Sequence, residues 1–376
     1  MHGLDRLTEA ITKAGKPVHI LNGSGGERIL VLPHGGRVLG LFAADGGGNF
    51  LWAHPALKAA GSARALFASD EWCNTGGDRT WLAPEAELFF PEFPERTVYR
   101  QPRELDAGTY RCGRHDGAIR LCQDLAVVAY RRKERIPLRI TKEIRPAENP
   151  LRFEPAPASI RGVTFAGYVL RSKLELPAGA SRTAVGLWHL LQLPPGGEMI
   201  IPTYSRAKPT LYFGRISRKD LSVRAGLIRY RMGSPGAHKI GVRAAATTGR
   251  VGYVCRSDRR WRLVIRQFTA DPGGLYADYP PGKPEEGGCA VQVCSVCDPR
   301  LGRFSELEYH APAIGGPTGL AGCRDASQVW AFEGSARQIR AIAAALVGAE
   351  FGEDALRRGR KARPGRRQGL RKGMAS

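Results

Sequence analysis

The chain has 376 residues, 43% of them hydrophobic, and a formal net charge of +22 from 57 Lys and Arg against 35 Asp and Glu. That apolar content is ample for a packed core, while no stretch approaches the length of a membrane span, so a spanning helix is excluded. The opening M-H-G-L-D-R-L-T-E-A lacks the basic start and apolar run of a secretory signal, and a cytoplasmic location is expected.

Apolar residues at helical spacing (Leu4, Leu7, Ile11) predict a short leading helix over 4–14, ended by Gly15 to Pro17. From there the pattern is strand after strand, separated by Gly, Pro and Asp-Gly turns. The expected strands run over 18–21, 28–32, 37–42, 118–130, 138–145, 164–176 and 184–193. They continue over 199–203, 221–227, 251–255, 261–268, 289–297 and 304–309. Ile339, Ile342 and Leu346 among many Ala predict an amphipathic helix over 334–348. The stretch after Asp354 holds Arg357, Arg358, Arg360, Lys361, Arg363, Arg366, Arg367, Arg371 and Lys372 with no acid. With almost nothing apolar to bury, it reads as a disordered basic tail. More than a dozen strands without helical crossovers predict an all-β fold, a large antiparallel sandwich. We expect a leading helix at 1–15, one β domain at 16–334, a terminal helix within 335–354 and the tail at 355–376. The Pro-rich 148–159 segment is the one short break that could divide the sandwich.

The eight cysteines are too few for a disulfide scaffold of this size and read as reduced thiols. Cys294 and Cys297 form a C-x-x-C with Cys289 just before it, which invites a metal reading. A structural zinc site usually takes a second paired set, however, and the two have opposite strand parity in V-Q-V-C-S-V-C. No metal and no cofactor are expected.

Three segments carry candidate chemistry. In N-T-G-G-D-R-T-W-L-A-P-E (74–85), the Gly76-Gly77 pair permits a sharp turn that would bring Asp78, Arg79 and Trp81 to one place. A forked donor, an acceptor and a flat indole suit a sugar, whose hydroxyls want polar partners and whose C–H faces want an aromatic platform. The plainer alternative is an Arg–Asp salt bridge beside a core Trp. In G-L-W-H-L-L-Q-L (186–193), His189 sits mid-strand, and Trp188 and Gln192 look to the opposite face, so these residues cannot all line one site. In F-S-E-L-E-Y-H-A-P (304–312), strand alternation puts Glu306, Glu308 and His310 on one face and Leu307 and Tyr309 on the other. Close carboxylates push their pKa values apart, as proton-transfer chemistry requires. Lys239, Tyr276 and Asp278 are further candidates for the same cleft.

Taken together, V-L-P-H-G-G-R-V-L-G-L, G-G-D-R-T-W-L-A-P-E and S-E-L-E-Y-H-A-P resemble the galactose-mutarotase-like superfamily, the aldose 1-epimerase type of β-supersandwich, in an uncharacterised bacterial branch. The resemblance spans 16–334. It implies a carbohydrate ligand and, as catalytic groups, Glu308 as general base and His189 as general acid in anomer interconversion. It also implies Arg79 as a sugar-binding residue. His310 stands where the family pattern has a Gln. The early second His and the mid-chain Asn-His-Tyr-Phe-Asn pattern of the active enzymes are missing, which favours sugar binding over turnover. Two other functions stay open: a non-catalytic sugar-binding or regulatory module, and a nucleic-acid-associated protein whose tail contacts polyanions without sequence preference.

Overall fold

A computed structural model describes residues 3–153, 160–298 and 301–348. Two antiparallel sheets dominate it. The nine-stranded sheet runs, in spatial order, His19–Asn22, Arg28–Leu32, Arg37–Phe42, Asp78–Ala83, Gly186–Leu193, Gly302–His310, Val291–Asp298, His238–Val242 and Thr210–Phe213. The ten-stranded sheet runs Leu221–Arg224, Leu227–Arg231, Glu198–Pro202, Arg250–Ser257, Arg260–Phe268, Gly322–Gly334, Thr164–Glu175, Glu134–Pro146, Ala118–Ala129 and Arg111–His115. The expected large antiparallel sandwich is what forms.

The burial pattern separates the two sheets. Ala118–Ala129 and Glu134–Pro146 alternate between buried and open residues, as a sheet with one wet face does. Asp78–Ala83, Gly186–Leu193 and His238–Val242 are buried at every residue, so both faces of the nine-stranded sheet are covered there. Its inner face packs against the other sheet through Leu82, Leu187, Leu191, Leu307 and Tyr309, with Ile140, Tyr168 and Leu170 among the residues opposite. Its outer face is covered at one end by helices Gly3–Lys13 and Ala60–Phe67, where Leu4, Ile11, Phe42, Leu57 and Ala63 cluster.

The terminal helix Ala336–Val347 lays Ile339, Ile342 and Leu346 on the outer face of the ten-stranded sheet, against Val254, Leu263, Ile265 and Phe332. A capping box starts it, with Ser335 Oγ accepting from the Gln338 amide and Gln338 Oε1 accepting from the Ser335 amide. Such a cap stabilises a helix by about 1 kcal/mol.

One expected strand needs correction, and two further segments form strands outside the expected set. The strand expected over 221–227 is two, broken at Ala225-Gly226 into the Leu221–Arg224 and Leu227–Arg231 hairpin. The 78–83 segment is a strand and not a continuation of the Gly-Gly turn. Gly322–Gly334 is a full strand although Arg324, Asp325, Ser327 and Gln328 obscure its apolar pattern. The basic tail, and the expected terminal helix beyond residue 348, lie outside the described residues.

Candidate functional site

Gly76 and Gly77 have φ values of +95° and +80°, and a Cβ on Gly76 would come within 2.7 Å of the Ala53 backbone. The turn they permit delivers the Asp78–Ala83 strand into the middle of the sheet, beside Gly186–Leu193. Residues directly opposite in an antiparallel pair share a face. The register pairs Arg79 with Leu190, Trp81 with Trp188, Glu306 with Gln192, and His310 with Trp188. It also pairs Gln292 with Glu308, and Cys294 with both Glu306 and Lys239. Arg79, Trp81, Trp188, Gln192, Lys239, Gln292, Cys294, Glu306, Glu308 and His310 therefore form one layer on the outer face.

Two ion pairs organise that layer. Arg79 Nη2 lies 3.0 Å from Glu306 Oε1, which also accepts from Gln192 Nε2 at 2.9 Å. The guanidinium sits 3.9 Å from the Trp81 ring centroid, and Arg79 Nη1 donates to Asn74 Oδ1 at 3.3 Å. Lys239 Nζ lies 2.9 Å from Glu308 Oε2, which also accepts from the Trp188 indole at 2.7 Å. The ammonium is 4.4 Å from the Trp188 ring centroid, and His310 stacks on the same indole at 5.4 Å. Every buried charge of the layer thus has a partner, as burial demands.

The layer is nevertheless incompletely satisfied. Glu308 Oε1, both ring nitrogens of His310, Gln192 Oε1, Gln292 Oε1 and Arg79 Nε are buried without a hydrogen-bond partner among the described residues. Buried polar atoms normally find partners, so several orphans in one layer mark a place where water or a polar ligand completes the network.

The electrostatics distinguish the groups. Burial pushes the Glu308 carboxyl up to about 7, more than the Lys239 ammonium pulls it down, and Glu306 adds to the rise. Lys239 is held charged: burial disfavours its ammonium, but Glu308, Glu85 and Asp278 together outweigh that. His310 is driven well below its ordinary value by burial and then by Lys239, so it is neutral. At neutral pH, Glu308 is divided between its two protonation states beside a fixed cation.

Two segments rim the layer. Helix Glu85–Leu88 follows the Asp78–Ala83 strand directly, and the Glu85 amide donates to Asp278 Oδ1 at 2.8 Å. The Tyr99 hydroxyl donates to Glu85 Oε1 at 2.6 Å, and Gln292 Nε2 donates to Asp278 Oδ2 at 2.7 Å. Tyr99 is 41% exposed, whereas the Arg79, Glu306 and Lys239 side chains keep only 4–6% of their surface open. Burial raises the Glu85 carboxyl, with Lys239 opposing and Asp278 reinforcing.

The structure divides the expected site residues. Arg79, Trp81, Lys239, Glu306, Glu308 and His310 share the outer face, and Asp278 braces its rim. His189 and Asp78 are on the inner face, because strand alternation turns each away from its neighbour. His189 Nδ1 lies 3.1 Å from Thr80 Oγ1, and its Nε2 lies 3.5 Å from Asp325 Oδ2. Asp78 pairs with Arg266 at 2.9 Å and accepts from the Tyr168 hydroxyl at 2.7 Å. Tyr276 joins a small cluster with Ala244 and Ala290, its hydroxyl accepting from the Asp271 amide at 3.0 Å. Trp188, Gln192, Gln292 and Cys294 complete the layer: strand parity sets Trp188 and Gln192 opposite His189, Cys294 belongs to the C-x-x-C, and nothing in the sequence singles out Gln292. The available signal is polar or aromatic residues spaced by two within otherwise apolar strands.

Cys294, Glu306 and Glu308 bring one potential metal-ligand atom each within 4.8 Å of one another. Burial and the two carboxylates hold the Cys294 thiol well above its ordinary pKa, which opposes the thiolate a metal needs. Lys239 and Arg79 already neutralise the two carboxylates. The donor set fits a protein cation pair better than a metal ion. The C-x-x-C supplies no second ligand there, since Cys294 is buried and Cys297 exposed.

No family model matches the chain, and no curated protein matches it. Among solved structures, the chain is similar to a crystal structure of galactose 1-epimerase from Lactobacillus acidophilus NCFM. The TM-score is 0.41 at 11% identity, over 84% of this chain and 94% of that one. Among the described residues no helix is long and apolar enough to cross a membrane.

Proposed function

We propose that the outer polar layer binds a neutral sugar ring and that Glu308 exchanges a proton with it. The observation that carries this reading is the asymmetry of Glu308. Its Oε2 is fixed by Lys239 and Trp188, its Oε1 has no partner among the described residues, and burial pushes its carboxyl up to about 7. A general base works best with a pKa near the working pH. The orphaned amide oxygens and imidazole nitrogens suit hydroxyls that both donate and accept, and the indole of Trp188 suits the C–H face of a sugar ring.

The site favours a neutral ligand over an anionic one, because both of its cations are already paired with carboxylates. In the anomerase form of the reading, Glu308 Oε1 takes the anomeric hydroxyl proton while the Lys239 ammonium stabilises the carboxylate in its charged form. The second proton donor has to come from the same face, and His189 is not on it. That placement is the specific support for a second reading, a sugar-binding module without turnover.

One experiment separates the two. Exchange between the α and β anomers of glucose and galactose is followed by saturation-transfer NMR, with wild-type protein and Glu308→Gln. The anomerase reading expects exchange above buffer that falls by about 10²–10⁴-fold in the variant. Saturable sugar binding without exchange leaves the binding module. Absence of saturable binding to either sugar by both proteins would contradict both forms for these aldoses.

A further inference from the structure

A cavity lies on the outer face of the nine-stranded sheet, lined by none of the side chains of the polar layer. It encloses about 450 Å³ between helix Gly3–Lys13, the short turn Pro55–Lys58 and the chain leaving Gly186–Leu193 at Pro194. This is within the range of small-molecule sites, which run from about 300 to 1,000 Å³.

Its floor is apolar, formed by Phe42, Leu51 and Leu57, and Trp52 forms one wall. That indole is held in place: it packs on Phe304 at 4.7 Å, and a Cβ on Gly302 would lie 2.6 Å from it. The Trp52 amide donates to the Gln192 carbonyl at 2.9 Å, so this wall is also anchored to the strand that carries the polar layer.

The polar content of the lining is one-sided. No carboxylate lines the cavity among the described residues. Arg6 and Lys58 stand exposed at the rim and make no ion pair or hydrogen bond among the described residues. Asn49 is consumed by backbone groups, accepting from Leu41 and Leu51 and donating to Leu39. His54 Nδ1 accepts from the Ala56 amide at 3.1 Å, which leaves the ring hydrogen on Nε2. Burial lowers its pKa, so the ring is a neutral donor. The cavity therefore offers an apolar, aromatic interior and a rim of one N–H and two cations that are unpaired among the described residues.

We propose that this cavity is a binding site for an organic anion with a flat or apolar body, the body lying against Trp52 and Phe42 and the anionic group meeting Arg6 and Lys58. It is independent of the sugar reading, since none of its side chains belongs to the polar layer.

The test uses the full chain and two fluorescent probes of similar body, anilinonaphthalene sulfonate and the uncharged N-phenylnaphthylamine. The expected result is one saturable site for the sulfonate, weakened about tenfold by Arg6→Glu with Lys58→Glu, while the uncharged probe is unaffected. Trp52→Ala is expected to weaken both. The rim variant changes only exposed side chains, so it decides the matter even where thermal melting shows Trp52→Ala to be misfolded. No saturable binding, or equal binding of the sulfonate to wild type and the rim variant, overturns the proposal. Equal loss of both probes in a rim variant that melts like wild type also overturns it.

Discussion

The two faces of the nine-stranded sheet both bury charge, and they treat it differently. On the inner face, Asp78 has a partner on each oxygen, Arg266 on one and Tyr168 on the other. Burial alone would raise its pKa, but the Arg266 charge and hydrogen bond, with Lys142, pull it below the usual carboxylate value. Asp325 is likewise held low: burial is outweighed by His189, Tyr309 and Arg266. On the outer face, Glu308 faces one cation and one indole through a single oxygen, and burial prevails. Asp78, satisfied at both oxygens, ties the two sheets together through Arg266 and Tyr168, and Asp325 does so through one oxygen that takes both His189 and Tyr309. Glu308 differs from both in that burial outweighs its one cation and raises its carboxyl, which is the basis of the proton-exchange role proposed for it.

The largest expected effect is on the inner face. Arg266→Met leaves the Asp78 carboxylate buried beside Tyr168 without its main cation, and unfolding free energy from urea titration should fall by about 3–5 kcal/mol. A loss below about 1 kcal/mol would mean that the inner pair is not structural. On the outer face, Glu308→Gln keeps the shape of the side chain, so the protein should fold while any anomer exchange disappears.

The pH dependence of stability should also differ between the faces. Glu308 has a folded pKa of about 7, above its ordinary value of 4.5. Its contribution to stability is therefore complete below about pH 4.5 and is lost as pH rises through about 7. The loss amounts to as much as ~3 kcal/mol. Asp78 has the opposite sign, contributing above its ordinary 3.8 and losing that contribution as pH falls through its depressed folded pKa. Chemical denaturation from about pH 5 to 8 should show the Glu308 slope in wild type and its removal in Glu308→Gln. An unchanged slope in the variant would assign the pH dependence to a group other than Glu308.

A smaller effect is expected from His189→Gln, about 1–2 kcal/mol of stability from disturbing the Thr80 and Asp325 contacts. Sugar affinity, where present, should not change. A large loss of affinity without loss of stability would return His189 to the site.

Much of this division is legible in the sequence. Alternation in F-S-E-L-E-Y-H sets Glu306, Glu308 and His310 on one side and Leu307 and Tyr309 on the other, because strand parity is local. The same parity separates Trp188 and Gln192 from His189. Which of those sets faces Glu308 depends on the pairing of Leu190 with Glu308 across more than a hundred residues, which no local pattern carries. Asp78 is misplaced by the local pattern for a related reason. Two positive-φ glycines suggest a turn that gathers its neighbours, whereas the chain extends immediately after Gly77 and sends Asp78 and Arg79 to opposite faces. The strand Gly322–Gly334 is not legible because its first half carries Arg324, Asp325 and Gln328, so the inner-face partners of His189 and Arg266 are hidden as well.

The proposed role of Glu308 rests on a carboxyl that is partly satisfied and raised by burial. Carbon-13 NMR of glutamate-labelled protein, with Glu308→Gln to assign the resonance, measures its titration directly. The expected midpoint is near pH 7 and moves on adding a bound monosaccharide. A midpoint near the ordinary 4.5, indifferent to sugar, would contradict the proposed role.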